Sequence, residues 1–257
     1  MDEFIRTEML IGRDAMEKLR AARVAVFGIG GVGGHAAEAL ARSGVGSLVL
    51  VDNDVVSLSN INRQVIALHS TLGRYKTEVM RERILDINPK AQVEIHTCFF
   101  LPENAGDFNF SAYDYVVDAV DTVAAKLEII ERAKRAGTPV ISAMGAGNKL
   151  NPAAFSVMDI YKTQMCPLAR VMRRELRRRD INSLKVVCSS EPALEPRGLE
   201  PAEENEFRQE AEENVSTCGT EGGKAAGSRR AVPGSISYVP SIAGLLLAGE
   251  VIQDLLS

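Results

Sequence analysis

The 257-residue chain has no tryptophan and only 5% aromatic residues, so its core must be built mainly from aliphatic side chains. Its four cysteines are Cys98, Cys166, Cys188 and Cys218. The closest two are 22 positions apart, which excludes CxxC pairs for zinc or thiol exchange. His35, His69 and His96 stand at no metal-ligand spacing and read as structural. No apolar run approaches the ~20 residues of a membrane span. The longest, Ile242 to Ile252, carries Glu250 and reads as a packed helix. The N-terminal residues are charged from Asp2 onward and hold no apolar signal core. Together these absences predict a cytoplasmic chain with reduced thiols and no membrane partner. Nor does one sign of charge dominate. Lys plus Arg is 30 against 34 Asp plus Glu, a net of -4, which argues against a generally basic nucleic-acid coat but leaves local patches open.

What is present is an alternation of short apolar runs with amphipathic stretches. A helix from Arg13 to Arg23 leads into the run Val24 to Phe27, then glycines from Gly28 to Gly34, then an Ala-rich helix from His35 to Arg42. A second run, Ser47 to Val51, ends in Asp52, completing strand, glycine turn, helix and strand. A helix over 76–87, a strand over 93–99, a buried-type run over 113–120, a helix over 124–136 and a strand over 140–143 follow. This order predicts an α/β, Rossmann-like, doubly wound and mostly parallel sheet. Beyond Gly147 the pattern changes to an edge-type strand over 155–161, a basic helix over 168–179 and a strand over 184–188. The last element is a helix over 241–256. The expected division is a nucleotide-binding core over 1–150 and a continuous C-terminal extension of antiparallel strands and helices over 151–257. Residues 191–221 contain ten Glu and two Arg, so the stretch of about 191–230 is expected to stay disordered.

Gly28, Gly30 and Gly33 fit GxGxxG between a strand and a helix, with Gly31 inside the turn. Glycines let the backbone approach a phosphate, and the helix start offers free N–H groups. Asp52 follows at the spacing of a ribose-binding carboxylate. Alone, this motif suits any adenine nucleotide, NAD included. The next segment discriminates. It is polar and runs Asp52-Asn-Asp54 to Asn60-Ile-Asn-Arg63-Gln64, with Lys76 beyond. Nicotinamide needs an apolar wall. Two cations beside a pyrophosphate suit a triphosphate under attack, so the cofactor expected is ATP.

These pieces, with Asp118-Ala-Val-Asp121, resemble the ubiquitin-activating-enzyme superfamily, whose members adenylate carboxylates. The second half of the chain resembles one branch of it, the tRNA threonylcarbamoyladenosine dehydratases, in Asn148-Lys149-Leu-Asn-Pro152, Asp159-Ile-Tyr-Lys-Thr163, Cys166-Pro-Leu168 and Pro233-Gly-Ser-Ile-Ser237. The resemblance implies that Asp52 holds the ribose, that Arg63 and Lys76 hold phosphates, and that Asp121 acts through Mg²⁺. Asp54, Asn60 and Gln64 fall within the implied nucleotide site. It also implies a homodimer in which Arg6 reaches the partner's ATP, and it allows a sulfur-transfer protein partner. Asp118 shares a strand face with the site and reads as a secondary polar group. A carboxylate at the C-terminal end of a parallel strand independently favours Asp121.

Two departures from relatives narrow the substrate. Sulfur-carrier activators commonly bear two zinc-binding CxxC pairs and a catalytic cysteine, and here the zinc pairs are missing, so no zinc is expected. Cys188 reads as an interior thiol and Cys218 as an incidental one. Residues 168–185 carry seven Lys/Arg and two acids. Within them Arg173, Arg174, Arg177 and Arg178 recur at i, i+1, i+4 and i+5, a stripe suited to the phosphates of tRNA. The reaction implied is ATP-dependent cyclisation of N6-threonylcarbamoyladenosine in tRNA. The alternative is adenylation of the C-terminal glycine of a ubiquitin-like sulfur-carrier protein.

Overall fold

In the computed structural model, residues 2–197 and 233–257 are described. Seven strands form one sheet. They are β1 (Arg23–Phe27), β2 (Ser47–Val51), β3 (Gln92–His96), β4 (Tyr115–Asp118), β5 (Val140–Ala143), β6 (Phe155–Asp159) and β7 (Lys185–Ser189). Their order across the sheet is β3-β2-β1-β4-β5-β7-β6. All neighbours pair in parallel except β6 with β7. The expected antiparallel extension is therefore a single reversed edge strand, because β7 itself runs parallel to β5.

The described residues form seven α-helices, α1 (Ile5–Ile11), α2 (Arg13–Ala21), α3 (Gly33–Arg42), α4 (Lys76–Ile87), α5 (Val123–Ala136), α6 (Pro167–Arg177) and α7 (Tyr238–Leu256), and all but α1 pack into the body of the fold. Strand side chains alternate between two cores. Val24, Val26, Leu48, Leu50 and Val117 meet Leu40 of α3, Met80 and Ile84 of α4, and Leu247 and Val251 of α7. Ala25, Phe27, Val49 and Val116 meet Ile129 and Ile130 of α5 and Met172 and Leu176 of α6. The scarce aromatics are concentrated in this second layer, where Phe27 packs on Phe100, Phe108 and Phe110 with ring centroids 5.0–5.8 Å apart. The inner strands β1, β2, β4 and β5 are thus buried on both faces, as their unbroken apolar runs require, while edge strand β3 stays partly exposed.

Helix α7 has the length and apolarity of a membrane span, yet its Val239, Ala243, Leu247 and Val251 face is buried. A β-carbon on its Gly244 would stand 2.3 Å from the Val32 carbonyl, so α7 and the start of α3 touch backbone to backbone. It is a core helix.

The chain direction across the sheet reverses between β1 and β4. In an open α/β sheet a crevice opens at that reversal, outside the C-terminal strand ends. The loops after β1 and β4 line it, and they hold Gly28–Gly33 and Asp121.

Candidate active site

The glycine loop is interlocked with β4. Gly28 has a φ of +86°, and a β-carbon there would lie 2.7 Å from the Ala119 carbonyl oxygen. A β-carbon on Gly33 would lie 1.8 Å from the Gly28 carbonyl oxygen. These two glycines are needed by the fold. Gly30 differs, since its nearest neighbour would be Gln64 Nε2 at 4.0 Å, leaving open space above the turn. Gly31 faces Pro240 of α7 and the Arg63 stem.

Asp52, at the end of β2, clamps the loop. One carboxylate oxygen accepts the Ile29 N–H at 2.6 Å and the other accepts the Asp54 N–H at 2.8 Å. Each oxygen keeps a lone pair for a further donor, the geometry a ribose diol needs. Burial raises the Asp52 pKa above the usual carboxylate value, against the pull of nearby Lys76. Lys76, the first residue of α4, is buried, and its Nζ donates to Asp54 Oδ2 at 2.6 Å. Asp54 therefore holds the lysine.

Arg63 is half-buried and finds no carboxylate among the described residues. Its guanidinium donates to the Ser59 carbonyl at 2.7 Å and to Asn62 Oδ1 at 2.8 Å. Burial lowers its pKa, but arginine stays charged. Beside it, Gln64 is buried and its Oε1 has no hydrogen-bond partner. An orphaned acceptor next to a glycine turn points to a ligand. Asn60 is committed to the local turn, where its Oδ1 accepts the Ser57 N–H at 3.4 Å. Asn62 donates to the Ser235 carbonyl at 3.0 Å, tying this segment to 233–237.

Asp121, just past β4, is exposed, and among the described residues its carboxylate accepts only the Thr122 hydroxyl, at 3.2 Å. Asp118 is wholly buried. It accepts Lys126 Nζ at 3.0 Å and the Ser142 hydroxyl at 2.5 Å. Lys126 and Ser142 escape sequence reading because this charge pair forms across β4, β5 and α5. The histidines are structural: His35 Nδ1 bonds the Gly31 carbonyl and His96 Nε2 bonds Glu94. No three metal-ligating side chains cluster among the described residues.

Helix α6 lies across the second layer. Arg174, Arg177 and Arg178 are exposed, with Arg174 and Arg178 flanking Glu175 and Arg177 stacked over Tyr161 at 5.1 Å. Arg173 departs from the expected stripe. It is half-buried and donates to the carbonyl and hydroxyl oxygens of Thr163, because its turn of the helix faces the 160–163 segment. Arg6 is exposed on α1, away from any ion pair among the described residues. Cys218 and most of the acidic stretch lie outside the described residues.

Near the site, a hollow of about 280 Å³ is lined by Asn148, Lys149, Leu150, Gly234, Ser235 and Ile236, among others. Asn148 exchanges hydrogen bonds with Gly234 at 2.8 and 2.6 Å, joining the loop after β5 to the approach to α7.

A buried carboxylate and two cations gathered around a glycine turn at the reversal of a doubly wound sheet define an α/β core of the nucleotide-binding type. The chain belongs to the ThiF family, whose model matches residues 5–257. The tRNA threonylcarbamoyladenosine dehydratase of Bacillus subtilis (strain 168) is 40% identical over 259 residues, covering 100% of this chain and 95% of that protein. Its Haemophilus influenzae counterpart is 42% identical over 196 residues, covering 73% of this chain and 75% of that protein. The crystal structure of the Escherichia coli dehydratase in complex with ATP has a TM-score of 0.81 at 30% identity, covering 98% of this chain and 93% of that one. The chain is a homologue of the Bacillus subtilis dehydratase along its whole length.

Proposed function

We propose that the chain is an ATP-dependent tRNA dehydratase that adenylates the threonyl carboxylate of N6-threonylcarbamoyladenosine and closes it into a ring. The observation that carries this reading is the open space over Gly30, bordered by Gln64, with Arg63 beside the neighbouring Gly31, in a full-length homologue of such enzymes.

Asp52 takes the ribose hydroxyls and the loop N–H groups take phosphate oxygens. The carboxylate oxygen of the substrate attacks the α-phosphorus and the bond to pyrophosphate breaks. Arg63 and Lys76, fixed by Ser59 and Asp54, hold the charge that gathers on pyrophosphate. Asp121 suits a hard cation because it is exposed and pairs with no cation among the described residues. It would hold Mg²⁺, which when bound would neutralise charge at the phosphates. The ureido group of the same nucleoside then attacks the acyl carbon and AMP leaves with the original carboxylate oxygen. That step is intramolecular, so proximity lowers its barrier without an enzyme thiol.

The hollow beside Asn148 fits the modified nucleoside, and exposed Arg174, Arg177 and Arg178 fit tRNA phosphates. The chain acts in the cytoplasm as a homodimer. Supporting the dimer, α1 buries none of its residues, and Met9 and Leu10 are 81% and 84% exposed beside Arg6. An assay of AMP and pyrophosphate release tests the reading. Release must require tRNA bearing threonylcarbamoyladenosine, and equal release with unmodified tRNA overturns it.

A further inference from the structure

Cys166 and Cys188 are buried, at 2% exposure each, and the chemistry above uses neither. The fold nevertheless brings them together by two separate routes. Met144 N–H, at the end of β5, donates to the Val187 carbonyl at 2.9 Å, which sets residue 145 beside residue 188. Across the same spot, Cys166 Sγ lies 3.5 Å from the position a β-carbon on Gly145 would take. The glycine leaves the room that the sulfur occupies. There the two side chains meet in the second core layer, and the Cys188 thiol also reaches the Ser189 carbonyl at 3.6 Å.

Their surroundings make them unequal. Cys166 is the N-cap residue of α6, without a side-chain cap hydrogen bond, and the backbone N–H groups of Gly145, Leu168 and Ala169 act on its sulfur. The Cys188 thiol first, and these backbone donors next, hold Cys166 well below the ordinary thiol range despite its burial. Cys188 is pushed the opposite way, by Cys166 and by burial, and keeps its proton. Positive charge from Lys149 and Arg173 reaches the pair. A thiolate in contact with a thiol is the arrangement of an attacking and a resolving cysteine.

We propose that Cys166 and Cys188 form a redox-modifiable dithiol that hydrogen peroxide closes into an intrachain disulfide. The Cys166 thiolate attacks one peroxide oxygen, the O–O bond breaks, and a sulfenic acid and hydroxide form. The Cys188 sulfur then attacks the Cys166 sulfur. The S–S bond forms, the S–O bond breaks, and the hydroxyl leaves as water with the Cys188 proton. The hydroxide takes up the proton that Cys166 gave up in forming its thiolate, so two thiols are oxidised to one disulfide and one peroxide is reduced to two waters. Peroxide is scarcely larger than water, so local openings admit it to a buried pair. The disulfide ties the start of α6, and hence exposed Arg174, Arg177 and Arg178, to β7.

The test is intact-mass analysis and non-reducing peptide mapping of the full chain carrying Cys98→Ser and Cys218→Ser, before and after hydrogen peroxide. The expected result is the loss of two hydrogens, a single Cys166–Cys188 linked peptide, and reversal by dithiothreitol. Adding Cys188→Ala is expected to stop the reaction at a sulfenic acid on Cys166 that dimedone traps. Unchanged mass, oxygen retained on Cys166 while Cys188 is present, or a link between two chains overturns the proposal. Should the serine variants not fold, peptide mapping of the wild-type chain reads the same linkage.

Discussion

Gly30→Ala separates the phosphate cradle from the fold. Its three glycine neighbours in the motif do not offer this, because a side chain at Gly28 or Gly33 meets backbone at 2.7 or 1.8 Å, and one at Gly31 meets Pro240 at 3.2 Å. At Gly30 the added methyl meets no protein atom closer than 4.0 Å. The backbone there is also outside the left-handed region, so alanine is tolerated, and the stiffer unfolded chain gives back about 0.4–1 kcal/mol. The thermal midpoint should therefore hold or rise. The methyl would instead occupy space assigned to phosphate, at an overpacking cost of about 1–3 kcal/mol. That weakens ATP binding roughly 5- to 150-fold. Calorimetric titration of ATP, with thermal unfolding run in parallel, checks both halves. Gly33→Ala serves as the contrast, losing stability and ATP binding together. An unchanged Kd in a folded Gly30→Ala protein would refute the placement of phosphates over this turn.

Three further outcomes follow. Asp121→Asn should cut kcat on tRNA by about 100-fold or more, as expected for lost electrostatic stabilisation, while the thermal midpoint stays put because Asp121 is exposed and bonds only Thr122 among the described residues. Replacing Arg174, Arg177 and Arg178 by Gln should weaken tRNA binding and lower the salt slope by about one for each phosphate no longer neutralised. The KM for ATP should not move, which steady-state kinetics at several salt concentrations can check. Lys126→Met strands the buried Asp118 charge at a cost of about 3–5 kcal/mol. The thermal midpoint should fall by roughly 10 °C, and Asp118→Asn in the same protein should recover part of the loss.

Most of the sheet is legible in the sequence because apolar runs bounded by glycine or aspartate have few other readings. The run over 140–143 and the helix over 76–87 match β5 and α4 end to end. Helix α1 is not legible, since it buries nothing and so carries no periodic apolar face. Within the site, residues near one another in sequence or fixed by motif are legible, as Asp52 and Gly33 show. Pairings made by tertiary packing are not. Asp118 with Lys126 and Ser142, and Cys166 with Cys188, meet across different elements, and spacing alone carries no sign of either. Local charge spacing also overcounts the arginine stripe, because Thr163 claims Arg173 from a neighbouring turn.

The central claim, that the threonyl carboxylate itself is adenylated, is tested by labelling both carboxylate oxygens of threonylcarbamoyladenosine in tRNA with a heavy oxygen isotope. After turnover, AMP should carry one labelled oxygen and the product nucleoside should be lighter by one labelled water equivalent. Unlabelled AMP formed alongside the cyclised nucleoside would contradict the account.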